Sequence, residues 1–147
     1  MDAGQTKARP IIAWVDDDVD FQAAVRHWVA PTYDLVSYRD GEDFLAELDE
    51  MEPDVIMLDV RLPGPDGFKL CRAIRAHPRL ADVPILFLTC SRDDEDYVRY
   101  LDVGGTAYLG KPVDRRRLLS TLRGLIAGRA TEPAGMIQCG LQPVDPR

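Results

Sequence analysis

The sequence predicts an α/β fold: a single doubly wound sheet of five parallel strands, with five helices divided between its two faces. Three observations predict it. Short apolar runs recur along the chain without polar alternation, as strands buried on both faces do. Between them, apolar residues return at helical spacing. The two patterns alternate at about 20–25 residues per unit, which is how parallel strands joined by right-handed helical crossovers read.

The first strand is Ile11-Ile12-Ala13-Trp14-Val15, which runs into three acids, Asp16, Asp17 and Asp18. Trp14 reads as core filler. Phe21, Ala24, Val25 and Trp28 then recur at helical spacing, and Pro31 ends that helix. Tyr33 to Tyr38 is rich in β-formers and reads as the second strand, with Asp40-Gly41 as the turn after it. Phe44, Leu45 and Leu48 belong to a short second helix stopped by Pro53. The third strand spans Asp54 to Asp59, and Pro63, Gly64 and Pro65 form the loop beyond it. A third helix starts near Asp66, buries Leu70, Cys71 and Ile74, and runs to His77. Val83 to Leu88 is the fourth strand, with Pro84 at its start, where a missing N–H is tolerated. Asp93-Asp94-Glu95-Asp96 opens a fourth helix, because negative charge suits a helix N-terminus. Val98 and Leu101 face inward from it, and Gly104-Gly105 closes it. Thr106 to Leu109 is the fifth strand. The fifth helix carries Leu118, Leu122, Leu125 and Ile126 on one face, with Arg115, Arg116 and Arg117 near its start.

The chain divides into a polar leader over 1–8, one domain over 9–128 and a tail or truncated linker over 129–147, rich in Pro and Gly and without periodicity. A length of 147 residues suits one domain with a real core. The composition, 46% hydrophobic and 29% charged, is that of a soluble globular protein. A net charge of −7 argues against direct nucleic-acid binding by this segment, which would need a basic surface. Cys71, Cys90 and Cys139 are odd in number and widely spaced, with neither a zinc pattern nor a disulfide framework, so a reducing compartment is expected. No run is long enough to span a bilayer, and the leader has no apolar core. A cytoplasmic protein without membrane contact is the expectation.

The chemistry gathers at the carboxyl ends of the strands, where open α/β sheets place their ligands. The first strand delivers Asp16 and Asp17, the third Asp59, the fourth Thr89 and the fifth Lys111. Each residue alone has a plain explanation. Asp18 is free to cap the first helix, though, which leaves Asp16 and Asp17 unexplained, and Asp59 comes too early to cap a helix that starts near Asp66. Three converging carboxylates repel unless a cation neutralises them. Mg2+ answers that need, since it takes one or two carboxylates alongside waters and phosphate oxygens. A lysine and a hydroxyl nearby would stabilise a phosphoryl group in transfer. One carboxylate is then free to act as the nucleophile and form an acyl phosphate, and Asp59 is centred between the others.

These residues resemble the receiver domain of two-component response regulators. Val15-Asp16-Asp17 looks like the family's acidic pair, and Leu58-Asp59-Val60-Arg61-Leu62-Pro63-Gly64-Pro65-Asp66-Gly67 like its phosphoacceptor strand and loop. Leu88-Thr89 matches the switch hydroxyl, and Gly104 to Pro112 the segment with the switch aromatic and the lysine. The resemblance covers about residues 9 to 128. It implies a flavodoxin-like strand order of 2-1-3-4-5, an order given for such folds in general. It implies that Asp59 takes a phosphoryl group from the phosphohistidine of a histidine kinase or phosphotransfer domain. Mg2+ (or Mn2+) would be held by Asp17, Asp59 and the backbone carbonyl of Arg61, with Asp16 on a metal-bound water. Lys111 would pair with the acyl phosphate, Thr89 would bond a phosphate oxygen, and Tyr108 would turn inward when Thr89 moves. The Lys111-Pro112 peptide would be cis, which X-Pro bonds allow. Arg61 and Ser91 would tune dephosphorylation, and Cys90 stands where Ala is commoner in the family. The switching surface, and a homodimer through it, would run over the fourth helix, fifth strand and fifth helix.

Two other readings compete. A Mg2+-dependent phosphohydrolase with an aspartate nucleophile commonly carries a second acid two residues on, but Arg61 stands there and cannot protonate a leaving group. A degenerate scaffold would not need the complete acid, threonine and lysine set.

Overall fold

The computed structural model describes residues 9–89 and 102–128. The strands are β1 (Ile11–Val15), β2 (Asp34–Tyr38), β3 (Val55–Leu58), β4 (Ile85–Thr89) and β5 (Ala107–Gly110). They form one five-stranded sheet in the order β2-β1-β3-β4-β5, with every neighbouring pair parallel. This is the expected order. The described helices are α1 (Val19–Val29), α2 (Gly41–Ala46), α3 (Gly67–Ala76) and α4 (Arg115–Gly128), with a short 3-10 turn over Leu48–Glu50. Here α4 is the fifth helix of the sequence reading. The expected fourth helix with its acidic start, the leader 1–8 and the tail 129–147 lie outside the described residues, as do Cys90, Ser91 and Cys139.

Alternation along the strands sorts the core into two layers. Val15, Ile56, Leu58, Ile85, Phe87 and Tyr108 point to the side of α2 and α3 and pack with Phe44, Phe68, Leu70, Cys71 and Ile74. Trp14, Val55, Met57, Leu86, Leu88 and Leu109 point the other way and pack with Val25, Val29, Leu118, Leu122 and Leu125 of α1 and α4. Both faces are covered, so the strands read as continuous apolar runs. Every described helix starts on an aspartate whose side chain accepts a hydrogen bond from an amide three residues on: Asp18 from Phe21, Asp40 from Asp43, Asp66 from Lys69 and Asp114 from Arg117.

Several boundaries differ from the sequence reading. Asp40-Gly41 is not a free turn but the cap and first residue of α2. That helix stops at Ala46, so Leu48 is buried from the 3-10 turn instead. Tyr33 precedes β2, because its amide closes onto the Val29 carbonyl at the end of α1. Asp54 lies outside β3 and its carboxylate accepts from the Ile11 amide at 2.8 Å. Val83 and Pro84 precede β4, where the Pro84 carbonyl still accepts from Ile56, and the strand reaches Thr89. Thr106 precedes β5, its hydroxyl accepting from the Ile85 amide at 3.0 Å. α3 ends at Ala76, with His77 as its C-cap.

Candidate functional site

The sheet register builds the site. Val15 pairs with Leu58 across β1 and β3, so the residues that follow, Asp16 and Asp59, leave the sheet side by side. The Asp59 amide donates to the Val15 carbonyl at 3.1 Å, and the Asp16 amide to the Tyr38 carbonyl at 3.0 Å. Thr89 pairs with Gly110 across β4 and β5, which brings Lys111 in from the far side. Asp16, Asp17 and Asp59 each offer a carboxylate oxygen, all within 4.8 Å of one another. Asp16 is fully buried, Asp59 is 6% exposed, and Asp17 is open to solvent.

One cation meets the two buried carboxylates. The Lys111 ammonium donates to Asp16 Oδ2 at 2.9 Å and to Asp59 Oδ2 at 3.2 Å. The remaining oxygens take backbone donors: Asp16 Oδ1 accepts from the Asp18 amide at 2.9 Å and Asp59 Oδ1 from the Arg61 amide at 3.1 Å. Burial pushes both carboxyls above the ordinary aspartate range. Lys111 and the backbone donors oppose the push, Asp59 adds to it at Asp16, and Asp17 adds to it at Asp59. Burial alone would lower the Lys111 ammonium, but the hydrogen bond and charge of Asp16, then Asp59, hold it above its ordinary value. An all-oxygen donor set whose ionised form is disfavoured by burial and like charge fits a hard divalent cation, so these carboxylates can hold a metal.

The loop after Asp59 is closely packed. Gly67 begins α3 with its amide on the Val60 carbonyl at 3.0 Å. A Cβ at Gly67 would overlap the Asp59 carbonyl oxygen and come within 2.9 Å of Val60 Cα, so only glycine fits against the phosphoacceptor candidate. The sequence reading placed Gly67 only in the loop that resembles the family's phosphoacceptor segment. The signal available was its place in Pro63-Gly64-Pro65-Asp66-Gly67, directly after Asp59. A cleft of about 530 Å³, lined in part by Asp17, Arg61, Leu62, Pro63 and Phe68, opens beside the acids. The Lys111-Pro112 peptide is cis, as expected. Tyr108 lies on β5, already buried at 7% exposure among the α2–α3 layer. Thr89 ends β4, on the same edge as the acids. Trp14 is fully buried, as expected of filler.

The comparisons agree with this geometry. The family model for the response regulator receiver domain matches residues 12–123. The transcriptional regulatory protein GltR of Pseudomonas aeruginosa is 41% identical over 116 residues, which cover 78% of this chain and 48% of GltR. The chain thus spans about half the length of the curated relatives it matches. Among solved structures, the chemotaxis response regulator CheY4 of Vibrio cholerae is 30% identical, with a TM-score of 0.75 over 80% of this chain and 99% of that one. The receiver domain of the sensor histidine kinase PA1611 of Pseudomonas aeruginosa, solved with magnesium coordinated in its active-site cleft, is 30% identical with a TM-score of 0.76, covering 82% and 99%. The sheet order, the acids and lysine on one edge, and a family match over most of the chain converge: this chain belongs to the response regulator receiver domain family.

Proposed function

We propose that Asp59 is the phosphoacceptor of a two-component signalling switch. The observation that carries this reading is the Lys111 ammonium bridging Asp16 and Asp59 at the carboxyl edge of the sheet. An Asp59 carboxylate oxygen attacks the phosphorus of a phosphohistidine on a histidine kinase or phosphotransfer domain. The O–P bond forms, the N–P bond breaks and the imidazole leaves. Asp17, Asp59 and the Arg61 carbonyl would hold Mg2+, with Asp16 positioning a water of its shell. Bound there, Mg2+ supplies charge neutralisation for the phosphoryl oxygens. Lys111 follows the new charge, exchanging its Asp59 contact for a phosphoryl oxygen. The Thr89 hydroxyl would donate to another, and Tyr108 would turn further inward as Thr89 moves.

The phosphoryl group adds charge and acceptor oxygens at one fixed place, and that biases the domain between two packings. The surface that changes would cover the segment before β5, β5 itself and α4, and would act on an output partner or domain or support a homodimer. Arg61 and Ser91 would set the phosphate lifetime. The domain modifies itself and does not turn over an external substrate. No described helix is long and apolar enough to cross a membrane, and a cytoplasmic site of action fits a kinase-coupled partner. The phosphohydrolase alternative has no acid at its required position, since Arg61 stands there and its amide already serves Asp59.

Intact-mass spectrometry after incubation with acetyl phosphate and Mg2+ tests this. One phosphoryl adduct on the wild type, lost with EDTA and missing from Asp59→Asn, is the expected result. An adduct that persists in Asp59→Asn, or none under conditions that label a control receiver, overturns it.

A further inference from the structure

The Lys111 ammonium has a third neighbour that no reading of the acids requires. It lies over the ring of Phe21, 4.7 Å from the centroid. The ring also packs edge-to-face with Trp14, at 5.6 Å between centroids with an interplanar angle of 82°. Trp14 is itself immobilised, fully buried on β1 two residues before Asp16. Phe21 is fixed at its backbone too, because its amide is the one that Asp18 caps at 3.1 Å. The segment from Trp14 to Phe21 therefore supplies Lys111 with both a carboxylate partner and an aromatic face.

We propose that Phe21 is a positioning residue that seats the Lys111 ammonium during phosphoryl transfer; this rests on reading Asp59 as the phosphoacceptor. An ammonium carries three N–H donors, and two are engaged by Asp16 and Asp59. Those two bonds point in fixed directions, and the one to Asp59 must be exchanged when a phosphoryl oxygen arrives. The attraction of a cation to a ring face has no single acceptor atom and varies smoothly as the cation slides. Phe21 thus holds the charge close to the reacting oxygen while its hydrogen bonds change hands. An aliphatic side chain at position 21 would fill the space but offer no negative ring face.

The test is a double-mutant cycle read as the rate of adduct formation with acetyl phosphate at saturating Mg2+. Phe21→Leu should slow labelling about three- to tenfold, the value of a cation–ring contact between exposed and desolvated settings. Phe21→Tyr should restore it to within about twofold, since the ring face is kept. In a Lys111→Met background, followed over hours, Phe21→Leu should change nothing further, because a residue acting through Lys111 has no target left. A loss of the same size in that background would make Phe21 a merely structural residue and overturn the proposal, as would a Phe21→Leu rate equal to wild type. A second readout does not depend on labelling: the Lys111 ε-methylene proton resonances should be displaced upfield by the ring, lose that displacement in Phe21→Leu and keep it in Phe21→Tyr. No displacement in the wild type overturns the seat itself. A displaced resonance on a protein that never accepts phosphate would leave the seat standing and sink the reading of Asp59.

Discussion

Asp59 and Asp16 share one ammonium in a buried setting that disfavours their charge, and that has a measurable cost in the metal-free protein. Their folded pKa values lie above the unfolded one because burial disfavours the charge. The folded form thus binds more protons than the unfolded form just above the ordinary aspartate range, and this contribution to stability falls as pH rises through that window. In EDTA, Asp59→Asn should therefore be more stable than wild type at neutral pH in urea titrations, with the gap closing as pH drops toward 4 and the wild-type carboxyl takes up its proton. Gly67 makes a second prediction at this scale. Gly67→Ala should destabilise by about 1–3 kcal/mol, because its methyl must displace the Asp59 carbonyl or Val60. It should also slow adduct formation, which the same mass measurement reads. The acids and Lys111 were legible because acids, a hydroxyl and a lysine stand at the ends of the first, third, fourth and fifth apolar runs, the same point of each unit. Gly67 was not, since a glycine after an aspartate looks the same whether or not a backbone lies against it.

Among the elements, α3 does more than its apolar stripe announces. Arg75 reaches off its C-terminal end and donates to the carbonyls of Ala81, Val83 and Gly104 at 3.1, 2.6 and 2.8 Å, and to the Thr106 hydroxyl at 3.3 Å. Burial lowers its pKa, with Cys71 and Asp82 opposing. The guanidinium clamps the approach to β4 against the approach to β5, the two strands that end in Thr89 and lead to Lys111. Gly104, at φ +99°, packs its backbone against the Arg75 side chain there. Arg75→Ala would leave several partly buried carbonyls without a donor and should cost about 2–4 kcal/mol in urea unfolding. Arg75→Lys should recover only part, because an ammonium cannot span all four acceptors. None of this was visible beforehand, since a single arginine on a helix reads as a solvated face. The strands were legible for the opposite reason: with both sides covered, nothing polar interrupts them. Their ends shifted by a residue or two where side chains, as at Asp54 and Thr106, took over ladder bonds that a strand would have made.

For the whole molecule, a metal held by the acids would be a linked ligand of the folded state. If Mg2+ binds the native acids and not the unfolded chain, a concentration of 100 Kd should add about 2.7 kcal/mol. The thermal midpoint should rise with Mg2+ accordingly, and Asp17→Asn should abolish the rise, which calorimetry can check. The all-parallel topology has a further outcome. Each helix returns from the edge that carries the acids, and α4, with 14 residues, runs back about 21 Å. Arg123 on its last turns lies close enough to act on the hydroxyl of Tyr33, which precedes β2 at the opposite edge. The chain therefore leaves the described domain at the antipode of the chemistry. If Asp59 carries the phosphoryl group, that charge lies about the length of α4 from Gly128, so an output partner would read it through the surface of β5 and α4 rather than at the point where the helix ends.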